Sequence, residues 1–328
     1  PTLAFKDFAM QVIAKMFAKT LPKKNLKINI VTATSGDTGS AAVEAFKAVS
    51  NVNLYVLYPH GRISQIQRMQ MTTSNANNIK VFAVKGTFDD CQSIVKGLFA
   101  DKDLVRDVNL SGVNSINWAR ILVQIVYYFS AFYQMKDFSE RKLSFSVPTG
   151  NFGDAYSGYL SKKMGLPINK IIVATNKNDI LDRVFKTGIY KSSGVSKTLS
   201  PSMDIQVASN FERLLFNLLN NDTNEVSKLM NKLSKKGNFN LDKKITSLIL
   251  KDFDSGAATD NETIATIDHF FKQREIILCP HSAIGVRVAQ AFVDEGETVV
   301  SLGTAHPAKF KETVENALAR SIPIPLAL

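Results

Sequence analysis

Short apolar runs that end in polar or glycine-bearing turns recur along the chain and alternate with stretches of helical periodicity. Residues 28–34 (INIVTAT), 53–58, 79–84, 143–147 (LSFSV), 170–175 (KIIVAT) and 298–302 (TVVSL) are too short for helices and rich in branched side chains. They predict buried strands. Residues 40–49, 63–72, 155–164 and 308–319 lie beside these runs and read as helices. The alternation predicts an α/β fold, with mainly parallel sheets covered by helices. Between 222 and 274 the texture becomes charged and polar, and Val226, Leu229, Met230 and Leu233 recur at i, i+3, i+4 and i+7. That spacing predicts an inserted helical region whose apolar stripe serves packing. The tail 321–328, with Pro323 and Pro325, is expected to be extended.

With 328 residues, 45% of them hydrophobic, the chain can bury a large core in one domain or two. Its net charge of +11 invites a nucleic-acid reading, but the basic residues are scattered in short groups: Lys23-Lys24 with Lys27, Lys235-Lys236, and Lys243-Lys244. Such groups read as solvated faces, which argues against nucleic acid as a partner. Cys91 and Cys279 have no CxxC spacing and form no disulfide framework, pointing to a reducing, cytoplasmic setting. His60, His269, His281 and His306 show no metal-ligand spacing, so no metal is expected. No apolar run approaches a membrane span.

The chemistry lies at strand ends. Ser35-Gly36-Asp37-Thr38-Gly39 follows the first run, Gly150-Asn151-Phe152-Gly153-Asp154 follows 143–147, and Gly303-Thr304-Ala305-His306 follows 298–302. Glycines at a strand-to-helix turn let backbone N–H groups converge on an anion where the helix dipole also favours negative charge. Ligands of open α/β sheets sit beyond the carboxyl ends of strands, so these loops are expected around one crevice. None fits GxGxxG or GxxxxGK followed by Ser or Thr, which argues for a phosphate-bearing cofactor other than a dinucleotide. Lys6, in PTLAFKDF, is the candidate nucleophile, since a lysine amine condenses with a carbonyl compound such as pyridoxal phosphate.

Taken in order, PTLAFKDF, TATSGDTGSAA, VPTGNFGD, ATNKND, PSMDI with SNFERLLF, PHSAIG and LGTAHPAKF resemble threonine synthase, in its SGDTG-containing bacterial and fungal branch. The resemblance covers nearly the whole chain. It implies a fold type II, tryptophan synthase β-like enzyme that uses pyridoxal 5′-phosphate to convert O-phospho-L-homoserine and water to L-threonine and phosphate.

By the same resemblance, Lys6 is the Schiff-base lysine and the backbone of Gly150, Asn151, Phe152, Gly153 and Asp154 holds the cofactor phosphate. Thr304 meets the pyridine nitrogen and Asp37 lies beside the cofactor's 3′ oxygen. Asn114, Ser115 and Arg120 grip the substrate phosphate, a role suited to the planar donor fork of arginine; an exposed helix arginine is the alternative for Arg120. Ser35 and Thr38 are expected near the substrate carboxylate.

The implied organisation is a smaller domain, 1–142, and a larger cofactor domain, 143–328, with the insertion at about 222–274. In the family a further N-terminal region precedes the lysine motif, so the sequence is expected to be incomplete at its start. A related phospho-lyase of the same fold and a non-catalytic relative stay open as alternatives, as do monomer and homodimer.

Overall fold

The computed structural model describes residues 1–135, 142–293, 297–326 and 328. They form two compact units: the first comprises 1–123 with 308–310 and 322–328, the second 124–307 with 311–321.

In the first unit, strands β1 (Ile28–Ala33), β2 (Val52–Pro59), β3 (Ile79–Val84) and β4 (Leu110–Ser111) make an all-parallel sheet in the order β3-β2-β1-β4. Helices α1 (Lys6–Thr20), α2 (Asp37–Phe46), α3 (Gln65–Thr72), α4 (Phe88–Ala100) and α5 (Lys102–Asp107) accompany it. Strands covered on both faces read as continuous apolar runs, which is why β1 and β2 stood out in sequence. Met10, Ile13, Ala42, Phe46, Leu54, Val56 and Met71 form one buried cluster, while Val31, Leu57, Cys91 and Val95 form another. Helix α2 begins three residues before the expected 40–49, because Asp37, Thr38 and Gly39 already take up its first turn. Gly39 allows the close fit: a Cβ there would stand 2.4 Å from Met71 Sδ and 2.6 Å from Thr34 Cγ2.

Helix α6 (Trp118–Gln134) contains the division between the units. In the second unit β5 (Lys142–Pro148), β6 (Ile168–Thr175), β9 (Phe253–Ala257) and β10 (Glu297–Ser301) form another all-parallel sheet, ordered β10-β5-β6-β9. Helix α7 (Gly153–Lys163) follows β5. Strands β7 (Ile189–Lys191) and β8 (Asn238–Asn240) pair antiparallel. The segment 222–274 carries the helices Thr223–Lys236, Lys243–Asp252 and Asp260–Arg274, but also β8 and β9. The expectation of helix alone there is therefore corrected. Phe-Asp-Ser-Gly-Ala is too polar and too small to read as a strand, yet its backbone completes the sheet beside β6.

Candidate active site

In the first unit the chain leaves β1 through Thr34, Ser35 and Gly36 into α2. Thr34 Oγ1 accepts from the amides of Gly36 at 2.9 Å and Gly39 at 2.8 Å, which shapes the turn. Gly36, at φ +128°, adopts a conformation that side-chain-bearing residues rarely take. Asp37 is buried and Lys309 Nζ donates to its Oδ1 at 2.8 Å; Gln67 Nε2 donates to the same oxygen at 3.0 Å. Burial alone would push this carboxyl up, but the charges of Lys309 and Lys6 and the bonds from Lys309 and Gln67 outweigh it and hold Asp37 far below the usual carboxylate range.

Lys6 is the first residue of α1, half-buried, with its Nζ 4.3 Å from the ring centroid of Phe5. The turn before it is tied by Asp7, whose Oδ2 accepts from Thr2 N at 2.8 Å and whose Oδ1 accepts from Thr2 Oγ1 at 2.6 Å. Beyond β4, Asn114 Nδ2 donates to Ala33 O at 3.1 Å, so the segment 114–120 lies against the carboxyl end of β1, beside the Ser35 turn. Arg120 is only 3% exposed and its Nη1 donates to Val113 O at 3.2 Å. The reading of Arg120 as an exposed helix arginine is thereby overturned.

In the second unit β10 and β5 run parallel, with Ser301 opposite Ser146, so the loops after both strands leave the same end of the sheet. The Gly150–Asp154 turn enters α7 through Phe152, a buried residue at φ +64°. Phe152 N donates to Thr149 Oγ1 at 3.1 Å, while its ring packs on Phe185, Phe211 and Phe253 at centroid distances of 6.1, 5.6 and 5.6 Å. That aromatic cluster stabilises a left-handed backbone that phenylalanine otherwise avoids.

Asn151 O accepts from Asn210 N at 3.1 Å, and a Cβ on Gly150 would lie 3.1 Å from Met203 Cα and 3.3 Å from Ser202 O. The SNF and PSMDI segments thus brace the turn. Behind them Asn176 Nδ2 donates to Thr198 Oγ1, Ser200 Oγ and Asp204 Oδ1, each at 2.8 Å. The ATNKND segment therefore serves as scaffold. Burial pushes the Asp204 carboxyl up despite these bonds. Asp154 Oδ1 accepts from Thr149 Oγ1 and from Ala155 N, which ties its carboxylate into the start of α7.

Thr304 follows β10 and sits in a triangle of three groups. Its Oγ1 lies 3.3 Å from Cys279 Sγ and 3.2 Å from Ser282 Oγ, these two are 3.2 Å apart, and Thr304 N donates to Ser282 Oγ at 3.0 Å. The Thr304 hydroxyl is thus placed beside two groups that can each donate to it or accept from it, while its amide anchors the residue to Ser282. Among the described residues no group of three or more His, Cys, Asp or Glu is placed to hold a metal ion, and no helix is long and apolar enough to cross a membrane.

Residues 1–229 match the family described as pyridoxal-phosphate-dependent enzyme, and residues 282–328 match the C-terminal family of threonine synthase. Threonine synthase of Pseudomonas aeruginosa is 46% identical over 318 residues, which are 97% of this chain and 68% of that protein. The chain belongs to the threonine synthase family. The threonine synthase of Saccharomyces cerevisiae is 44% identical, over 97% of this chain and 67% of its own length. The pyridoxal-phosphate-bound threonine synthase of Brucella melitensis superposes with a TM-score of 0.93 at 48% identity, covering 99% of this chain and 70% of that one. The architecture is that of fold type II, which an aspartate racemase at 14% identity and a TM-score of 0.64 also shares.

The donor set fits the threonine synthase cofactor. The N-terminus of α7, whose dipole favours an anion, opens beside the Gly150 turn, and the buried Ser202 Oγ, next to that turn, has no hydrogen-bond partner among the described residues. Of the residues singled out in the sequence, the first unit brings Ser35, Asp37, Thr38 and Asn114 to the carboxyl end of β1 and sets Lys6 within electrostatic reach of Asp37. The second unit brings the Gly150–Asp154 turn and Thr304 to one end of its own sheet. Sequence reasoning missed Lys309, Gln67, Ser202, Cys279 and Ser282. Lys309, Ser202 and Ser282 stand inside LGTAHPAKF, PSMDI and PHSAIG, and Cys279 directly precedes the last, so those motifs carried the signal.

Proposed function

We propose that the chain catalyses the conversion of O-phospho-L-homoserine and water to L-threonine and phosphate, as a carbon–oxygen lyase with pyridoxal 5′-phosphate attached at Lys6. The observation that most supports this reading is the buried Asp37 carboxylate at the start of α2, held by Lys309 and Gln67 and lying in the field of Lys6. Bound pyridoxal phosphate supplies an electron sink that makes the protons on the α and β carbons of the substrate removable.

The protein's part is to bind, orient and move protons. Amides of the Gly150–Asp154 turn other than that of Phe152, which donates to Thr149 Oγ1, would hold the cofactor phosphate with the dipole of α7. Asp37 would lie beside the 3′ oxygen. Thr304, a neutral hydroxyl beside Cys279 and Ser282, would meet the ring nitrogen without enforcing its protonation, which would favour elimination and replacement over other outcomes. The Lys6 amine would serve as the base that carries protons between adjacent carbons of the substrate. Arg120, Asn114 and Ser115 receive the substrate phosphate, and Ser35 and Thr38 its carboxylate. The two free buried thiols, Cys91 and Cys279, support a cytoplasmic setting.

The test is a comparison of the full-length protein with its Lys6→Ala variant. The wild type is expected to show a visible cofactor band and to release threonine with phosphate from O-phosphohomoserine, and the variant to lose both. A variant that keeps the band removes Lys6 from its role, and a keto acid in place of threonine makes the chain a phospho-lyase.

A further inference from the structure

Lys309 is fully buried, with 0% of its surface exposed. A lysine is seldom kept in such a place without compensation, because a well-packed apolar side chain of similar volume is at least as stable there. Its Nζ donates to Asp37 Oδ1 at 2.8 Å and to Thr2 O at 2.9 Å. Thr2 belongs to the turn that Asp7 closes immediately before Lys6, and Gln70 Nε2 reaches the same Thr2 carbonyl at 3.3 Å. The same Asp37 oxygen accepts from Gln67, which is fixed in a capping box with Ser64. One ammonium therefore joins the Asp37 carboxylate to the backbone of the segment that carries Lys6.

We propose that Lys309 is a positioning residue for cofactor chemistry: its ammonium holds the Asp37 carboxylate ionised and in register with the Lys6 turn while the amine of Lys6 itself changes state. The inference rests on the reading of Lys6 as the attachment residue. Asp37 lies in the field of two ammonium groups, Lys309 and Lys6. Lys6 is the mobile one, giving up its charge or its place during turnover. A carboxylate that depended on Lys6 alone would lose its counter-charge at that moment and, being buried, would take up a proton. Lys309, held by a carbonyl as well as by the carboxylate, supplies a constant charge.

The experiment compares wild type, Lys309→Met, Asp37→Asn and the double variant by pyridoxal phosphate affinity, visible spectrum and thermal midpoint. Lys309→Met is expected to weaken cofactor binding by roughly tenfold or more and to displace the visible band in the direction that Asp37→Asn does. In the double variant the second substitution should add little, because the two residues act as a unit. A Lys309→Met protein with wild-type affinity and band but a lower midpoint would make the lysine purely structural and overturn the proposal. Should Lys309→Met fail to fold, the double variant, which leaves no unpaired ion in the pair, is compared with Asp37→Asn. Coincident spectra support the proposal, and a further loss of affinity overturns it. A wild-type protein that takes up no cofactor, or a Lys6→Ala variant that keeps the band, overturns the reading of Lys6 and this inference with it.

Discussion

Gly36 and Gln67 occupy the same space: a Cβ built on Gly36 would stand 2.3 Å from Gln67 Cδ and 2.4 Å from its Oε1. Gln67 cannot withdraw without releasing Asp37, to which it donates, and the Ser64 amide, from which it accepts. The turn after β1 is thus a lock of three parts, in which a missing side chain makes room for an amide that orients a carboxylate.

Gly36→Ala is expected to destabilise the protein by about 2–5 kcal/mol, combining the cost of a side chain at positive φ with that of overpacking. Urea unfolding measures the loss. Adding Gln67→Ala should recover the overpacking share but not the backbone share, so full recovery would show that the conformation of Gly36 costs alanine nothing.

Phe152→Ala removes the ring at the centre of the aromatic cluster behind the Gly150–Asp154 turn. The expected cost is about 3–5 kcal/mol for the cavity, with a fall in pyridoxal phosphate affinity because the turn loses its anchor. Calorimetry and a cofactor titration check the two effects separately. A large loss of stability with unchanged affinity would separate the turn's shape from the cluster that packs against it.

The pH dependence follows from Asp37. Its carboxyl is held far below the value of 3.8 that it takes without these interactions, so it binds its proton more weakly in the folded state than in the unfolded one. The stability this contributes is fully present above that value and is lost as the pH falls through it toward the folded-state value. Urea midpoints measured between pH 6 and the lowest workable pH should therefore fall more steeply below about pH 4 in the wild type than in Asp37→Asn. Parallel curves would place the acid sensitivity in other carboxylates.

Arg120→Met keeps most of the bulk at a buried position and removes the donor fork. The expected result is a loss of roughly 30-fold or more in kcat/KM for O-phosphohomoserine with an unaltered cofactor band. A vanished band would assign Arg120 to the cofactor phosphate. Unaltered kinetics with a lower thermal midpoint would leave it a structural role that includes the bond to Val113 O.

What the sequence disclosed and what it hid follow from the range of the interactions concerned. β1, β2, β5 and β6 declared themselves because both of their faces are covered, and the glycine turns because a few adjacent residues dictate their backbone. β9 stayed hidden, since Asp254, Ser255 and Gly256 carry no apolar signal and pair through backbone alone. Phe152 was visible as part of a loop, but its burial among Phe185, Phe211 and Phe253 comes from three separate elements. Lys309 looked like any of 40 basic residues. Only the tertiary structure, which closes a separation of 307 positions between Lys309 and Thr2, distinguishes it.

That separation bears on biosynthesis. Domains form largely as the chain emerges, amino-terminal part first. Here residues 308–310 belong to the unit otherwise built from 1–123 and 322–328. While the ribosome translates the intervening stretch, the nascent first unit holds Asp37 without its buried cation. A premature stop codon shortly before position 309 would spare every residue of 1–123 and still deprive that unit of its buried ammonium, so damage written far downstream in the message is felt in a unit translated long before it.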